Sequence, residues 1–300
     1  MFLKHGTDMA MMSEHAARGV REGQPAPWRG RLFLWEGRGL YLGPTFATDM
    51  HAHHAAQICV ALTGTFRLRS GHNASWFRSR SIIIPADHAH QLDGEGGVLS
   101  LLFLDPEAVE TRALMQQQGA EVRTIPEPTL RRLLPPLRRC WREQWDNHES
   151  EILCRRFIQI LIFPGNVPRP LDPRITQAVQ LFRANTDRRM TIAEAAAAVA
   201  LSPSRLAHLF RAHMGLAVRR YLLWLRLAEA LQKITCGVSL TVAAHAAGFA
   251  DSAHLSRTFR RMFGLVPSML SRHSTFVQAS SGEAPYSRLT SSPLVKDYRR

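Results

Sequence analysis

The sequence predicts an α+β chain: a β-rich N-terminal part followed by helices, then an all-α C-terminal third. Three observations carry that reading. Short apolar runs separated by Gly-containing turns fill residues 31–104. A proline-rich stretch, PGNVPRPLDP at 164–173, interrupts the chain where a helix cannot continue. Beyond it, residues 174–272 show helical periodicity with short turns, and one phrase is nearly repeated there. It reads LAHLFRAHMGLAV at 206–218 and LSRTFRRMFGLVP at 255–267.

The elements follow in order. RLFLWEGRGLYLG at 31–43 holds two apolar runs around EGRG. QICVALTGTFRLRS at 57–70 reads as a hairpin turning at Thr63-Gly64. SIIIPADHAHQL at 81–92 and VLSLLFLDP at 98–106 supply further short strands, the texture of a sandwich or small barrel. Two helical stretches follow. One, at 127–146, aligns Leu130, Leu134, Leu137 and Trp141; the other, at 149–163, aligns Leu153, Phe157, Ile160 and Leu161. Each stripe must bury against something, either the β domain or a second copy of the chain.

Charge is uneven. Residues 172–273 carry 14 Lys/Arg against 5 Asp/Glu, whereas residues 1–171 carry 20 against 17. Most of the +14 net charge therefore lies in the C-terminal region, which favours a polyanionic partner through counterion release. Four scattered cysteines without a CxxC pair fit a reducing cytoplasm. The longest apolar stretch, EILCRRFIQILIF at 151–163, is broken by Arg155 and Arg156, so no membrane association is expected. The start, MFLKHGTDMAMMSEH, lacks a signal-peptide core.

The repeat has a physical reading. In the first copy, MTIAEAAAAVALSPSRLAHLFRAHMG at 190–215, Thr191 and Glu194 form a capping box. Ser202 and Pro203 start the next helix, and Gly215 ends it. In the second, VSLTVAAHAAGFADSAHLSRTFRRMFG at 238–264, Ser239 matches Thr191, Phe259 matches Phe210 and Gly264 matches Gly215. Asp251 is the better of two candidate caps, beside Ala250. Short helix, tight turn and second helix make a helix-turn-helix, and two aligned copies in a basic region point to DNA. Between them, AVRRYLLWLRLAEALQKIT at 217–235 is a rod of roughly 28 Å, close to one DNA turn. Leu223, Leu227, Ala230 and Ile234 are its expected apolar face.

GFADSAHLSRTFRRMFGLVPSML at 248–270 resembles the C-terminal signature of the AraC/XylS family of transcription regulators, and the likeness covers roughly 174–272. It departs at Leu255, where an aromatic is common, and after Pro267, where Arg272 stands one place beyond the usual Arg. The resemblance implies that exposed residues of each second helix face the bases. Here these are Ser204, Arg205, Ala207 and His208 in the first copy, and Ser252, Ala253, His254, Ser256 and Arg257 in the second. Arginine reads guanine bidentately, and Arg257 is the leading candidate. Arg211, Arg260 and Arg261 lie further along and suit phosphates.

The same resemblance implies a cupin-like β barrel as N-terminal sensor. MHAHHAAQICVALTG and IIIPADHAHQLDG place His51, His53, Gln57 and His90 at the ligand positions of metal cupins, with His54 and His88 beside them. Gln57 replaces the usual carboxylate, which weakens a cation site. An organic effector in the barrel mouth, with no resident cofactor, is favoured over a divalent metal. Ordinary rim histidines are the third reading.

The expected organisation is a flexible N-terminus at 1–28, a sensor and dimerisation domain at 29–163 and a linker at 164–173. The double helix-turn-helix domain occupies 174–273, with a disordered tail at 274–300. The expected function is a cytoplasmic, homodimeric, DNA-binding transcription regulator that answers a small-molecule effector and is not an enzyme. Contact with RNA polymerase, as an activator, is implied by the resemblance alone; repression is equally compatible. The alternative is a cupin-type metal-dependent enzyme or metal sensor fused to a DNA-binding domain. Neither GxSxG nor a Walker motif is present. A DNA-organising protein without ligand response would not require the N-terminal half.

Overall fold

The computed structural model describes residues 30–45, 47–185, 190–269 and 274–277. β1 (Gly30–Trp35) and β2 (Arg38–Pro44) form the hairpin expected around EGRG. β3 (Ala56–Ala61), β4 (Phe66–Ser70), β5 (Phe77–Ser79), β6 (Ser81–Ile84), β7 (His90–Asp93) and β8 (Val98–Leu104) follow. They form two sheets. One runs β6-β3-β8-β2-β1-β9, where β9 is Ser274–Val277; the other runs β5-β4-β7. The expected β3–β4 hairpin is not formed: β3 pairs with β6 and β8, β4 with β5 and β7. The Thr63-Gly64 turn instead carries the chain from one sheet to the other. All six residues of β3 are buried, because both faces of its sheet are covered.

The two faces have different covers. Ile58, Val60, Leu102 and Leu104 point toward a layer of helices: α1 (Val109–Gln118), α2 (Glu127–Glu143) and α3 (Asn147–Leu161). The stripes of α2 and α3 bury Leu130, Leu134, Leu137, Leu153 and Phe157 there, against the chain's own sheet. Sequence periodicity did not reveal α1, whose apolar pattern is weak. On the opposite face, Cys59, Ala61 and Leu99 pack against Phe66, Leu68 and Leu92 of the small sheet. That sheet is too narrow to reach β1 and β2, and C-terminal helices roof the remainder.

After the proline-rich segment, α4 (Pro173–Ala184) is capped by Asp172. The first repeat forms α5 (Ile192–Ala198) and α6 (Pro203–Met214); α7 (Val218–Thr235) is the rod; the second forms α8 (Leu240–Ala246) and α9 (Ser252–Phe263). The capping box at Thr191 and Glu194 is present, and Ser202, Ser239 and Asp251 each accept a backbone N–H at their helix starts. Phe182, Phe210, Tyr221 and Phe259 are buried in one core shared by all six helices. The rod's buried face is shifted from the expected stripe: Leu227 and Ala230 are buried, but Leu223 and Ile234 are half-buried. Tyr221, Trp224 and Leu225 are buried in addition, because the N-terminal sheet domain covers that side of α7.

One expectation needs correction. Residues 274–277, assigned to a disordered tail, form β9 and pair parallel to β1 from Gly30↔Ser274 to Phe33↔Val277. An edge strand offers unpaired backbone groups, and a segment of modest propensity satisfies them. Residues 1–28 and 278–300 lie outside the described residues. No helix among the described residues is long and apolar enough to cross a membrane.

Candidate DNA-binding and effector sites

The residues proposed to face DNA lie on the open sides of α6 and α9. Ser204, Arg205, His208 and Arg211 are exposed, as are Ala253, His254, Arg257 and Arg260; Ala207, Ser252 and Ser256 are half-buried. Between them, Leu206, Phe210, Leu255 and Phe259 face the core, so the helical period separates anchor from contact surface. His254 leans on Phe249, with ring centroids 5.3 Å apart. Arg260 differs from the others: its Nε donates to Asp49 Oδ2 of the N-terminal domain at 2.6 Å.

Asp49 belongs to a segment that meets the end of α9. Its backbone N–H donates to the Gly264 carbonyl at 2.8 Å. A Cβ on Gly264 would stand 2.5 Å from the Asp49 carbonyl oxygen and 2.6 Å from His51 Nδ1, so only glycine fits there. Phe263, the last residue of α9, packs against His53 and Phe103 at 5.7 and 5.9 Å between ring centroids.

Beneath this contact lies a cavity of about 170 Å³. Leu32, Leu34 and Tyr41 of the sheet form one wall; Trp224, Leu231 and Phe263 form the other. Thr48, His51 and Gln57 bring polar groups to its lining, and the buried Trp35 Nε1 has no partner among the described residues. None of the apolar lining was marked out by the sequence, since its residues look like ordinary core.

Of the sensor residues proposed from sequence, four converge. His51 and His90 face each other across an isolated antiparallel bridge. His53 Nε2 lies 2.8 Å and His90 Nε2 3.2 Å from the Gln57 amide oxygen. One ring nitrogen from each of His51, His53 and His90 lies within 4.8 Å of the others. Burial lowers all three imidazole pKa values, that of His51 to about 4. All three are therefore neutral at pH 7. These residues could hold a divalent transition ion. His88 stands apart, hydrogen-bonded to the Ser70 hydroxyl.

His54 joins a different group. It lies 3.3 Å from Asp87 and 3.7 Å from Glu107, while Arg183 of α4 binds Asp105 and Glu107 at 2.5 and 2.7 Å. Tyr221 donates to Glu107 at 2.7 Å, and Trp224 Nε1 to Asp105 at 3.3 Å. Burial opposes a charged His54, but hydrogen bonds and attraction from Asp87 and Glu107 prevail and raise its pKa to about 9. Burial also opposes ionisation of Glu107, yet His54 and Arg183 drive its pKa well below the usual carboxylate range. This buried charge cluster joins the N-terminal sheet domain to α4 and α7. Its members, separated by more than a hundred positions in places, carry no local motif.

Residues 195–273 match the helix-turn-helix domain family. The arabinose operon regulatory protein of Salmonella typhimurium is 35% identical over 133 residues, which are 42% of this chain and 47% of that protein. The match thus spans about half the length of that relative. An HTH-type transcriptional regulator, ArgR of Pseudomonas aeruginosa, is 32% identical over 96 residues, 32% of this chain and 29% of its own. Apo ToxT from Vibrio cholerae superposes with a TM-score of 0.56 at 12% identity, covering 80% of this chain and 98% of that one. This last likeness extends the fold comparison over the N-terminal sheets. Fold and doubled motif define a helix-turn-helix protein with a sheet-rich N-terminal domain. Its C-terminal region, residues 195–273, is thus a helix-turn-helix domain similar to those of the arabinose operon regulatory protein and ArgR.

Proposed function

We propose that the chain is a sequence-specific DNA-binding transcription regulator whose effector, a largely apolar small molecule, binds between the sensor sheet and helices α7 and α9. The observation that carries this reading is the shared cavity. A ligand there touches the sensor and the second helix-turn-helix at once, so binding must differ between docked and undocked arrangements. A ToxT structure of similar fold, with a TM-score of 0.53, was solved with an unsaturated fatty acid bound. The sensor and helices α1–α3 remain the proposed dimerisation part, and DNA, effector, a second copy and RNA polymerase the proposed partners, in the cytoplasm. In this reading Arg205 and Arg257 contact bases, while Arg211, Arg260 and Arg261 contact phosphates.

Footprinting upstream of the protein's own gene, with wild type and Arg257→Ala, tests the DNA half. Protection over about two major grooves per monomer, weakened at one position by the substitution, is expected. Absence of any site-specific protection at moderate salt refutes it. For the effector half, Leu34→Trp fills the cavity. It should abolish the response of DNA binding to effectors found by screening, while leaving DNA binding itself in place.

A further inference from the structure

β9 is the odd strand of its sheet. The pairs β1–β2, β2–β8, β3–β8 and β3–β6 are antiparallel, and β9 alone runs parallel to its partner. β1 and β2 are joined by two residues, whereas β9 reaches β1 only after the chain has passed through all the C-terminal helices. Nothing local closes this pair. It forms only when those helices already lie against the N-terminal sheets. Nine residues, 265–273, separate Gly264 at the end of α9 from Ser274, so the pairing fixes the chain just beyond the second helix-turn-helix. Residues paired in register share a face of the sheet. Val277 therefore stands with Phe33 beneath the helical layer, where it packs against the same core, and Phe276 stands on the face of Leu32, which lines the cavity.

We propose that β9 is a strap: by adding to the edge of β1 it holds the end of α9 on the N-terminal sheet domain, and peeling it from β1 lets the second helix-turn-helix leave. The contacts it backs up are the Asp49 N–H on the Gly264 carbonyl, the Arg260–Asp49 pair, and Phe263 against His53 and Phe103. Strand and contacts support each other. Pairing keeps the end of α9 at high effective concentration near Asp49, and docking brings β9 within reach of β1. The strap is also easily released. It is four residues long and lies at the sheet edge, so its backbone groups pass to water on peeling, at a small net cost per hydrogen bond. Thr275 is exposed and Phe276 and Val277 are half-buried, so little apolar surface opposes release. One consequence rests on the regulator reading. Leu32 and Leu34 of β1 line the cavity, as do Leu265 and Met269, which precede β9, so an effector there and the strap bias each other.

The test follows amide hydrogen exchange in the full-length chain, without DNA or effector. The Asp49 N–H reports docking, and the amides of Arg31, Leu32 and Phe33 report the pairing. Backbone N–H groups alternate sides along a strand, so the double substitution Thr275→Pro with Phe276→Pro removes the donor to β1 whichever residue carries it. Exchange in β1 and at Asp49 should both accelerate about tenfold or more, while β3 and β8 keep their protection. The converse variant is Arg31→Cys with Thr275→Cys, in a Cys236→Ser background that leaves only the buried Cys59, Cys140 and Cys154. Arg31 and Thr275 are paired in register, and neighbouring strands lie about 4.8 Å apart, within disulfide reach. Oxidation should form the cross-link and slow Asp49 exchange about tenfold, and dithiothreitol should restore it. Should the prolines cost β3 and β8 their protection, the cross-linked variant decides. Asp49 exchange unchanged by the prolines or by the cross-link overturns the strap and leaves β9 an edge cover. Unchanged β1 exchange, or failure of the cross-link to form, overturns the pairing itself. These readouts use no DNA, so they can fail without refuting the regulator reading.

Discussion

The two helix-turn-helix copies are locally alike and globally different. Gly215 and Gly264 both end their helices in the left-handed region, at φ 76° and 69°. A Cβ on Gly215 would meet nothing within 4 Å, whereas one on Gly264 would strike the sensor backbone. Arg211 and Arg260 occupy equivalent helical positions. Arg260 is tied to Asp49, while Arg211 makes no ion pair among the described residues. Among the described residues, the side-chain ties to the sheet domain come from Arg183 of α4, from Arg220, Tyr221 and Trp224 of α7 and, in the second copy, from Arg260 of α9. Duplication supplies two helix-turn-helix modules, and placement puts the end of the second in direct contact with the sheet domain.

The largest expected effect tests the indirect docking. Arg183→Met leaves Asp105 and Glu107 buried without their guanidinium. Breaking such a buried pair costs about 3–5 kcal/mol. Denaturant unfolding should show this loss, with the sensor separating from both copies. A loss below about 1 kcal/mol would mean that α4 contributes little to docking. Next come the paired glycine substitutions. Gly215→Ala should cost about 1–2 kcal/mol from backbone conformation alone. Gly264→Ala should lose that plus about 1–3 kcal/mol from the clash. Equal losses would erase the distinction between the copies.

A smaller effect is expected from pH. Folding raises the His54 pKa from about 6.5 to about 9. Its stabilisation is thus fully present below pH 6.5 and is lost as pH rises through 9. Thermal melts between pH 6.5 and 10 should decline, and His54→Gln should flatten that decline. The His54 ring lies beside Tyr221 and Trp224 of α7, which both copies share, so alkaline pH should loosen them together. Smallest is Asp49→Asn, which frees Arg260 from an exposed ion pair. DNA affinity should rise about two- to fivefold at low salt, an effect that fades as salt rises. The corresponding gain is not expected from any sensor substitution acting on Arg211.

The legible parts of the molecule were those written locally. Caps at Thr191, Ser202, Ser239 and Asp251, the terminal glycines and the aromatic anchors act within a turn or two of their own position, so their spacing carries the information. The grouping of His51, His53, Gln57 and His90 came from the resemblance to metal cupins; spacing alone puts only His51 and His53 on one face, as residues two apart on an extended segment. His54 could not be separated from its neighbours this way. Its partners Asp87 and Glu107 lie 33 and 53 positions away, and the surrounding burial gives it a different task. The missing β3–β4 hairpin has a similar cause. Two apolar strands around a Gly turn fit a hairpin or a corner between sheets equally well, and only the available partners decide.

By itself, then, the sequence determined the class of each half, the doubled motif, its capping and its exposed basic residues, all set by short-range periodicity and backbone chemistry. The tertiary structure decided which copy the sensor grips, where the apolar cavity lies and that residues 274–277 return to the sheet edge. It also decided that Asp105, Glu107, Arg183 and His54 meet in one buried cluster. These depend on contacts between segments distant along the chain, where an arginine, a leucine or a glycine looks the same in sequence whether it meets solvent or another domain.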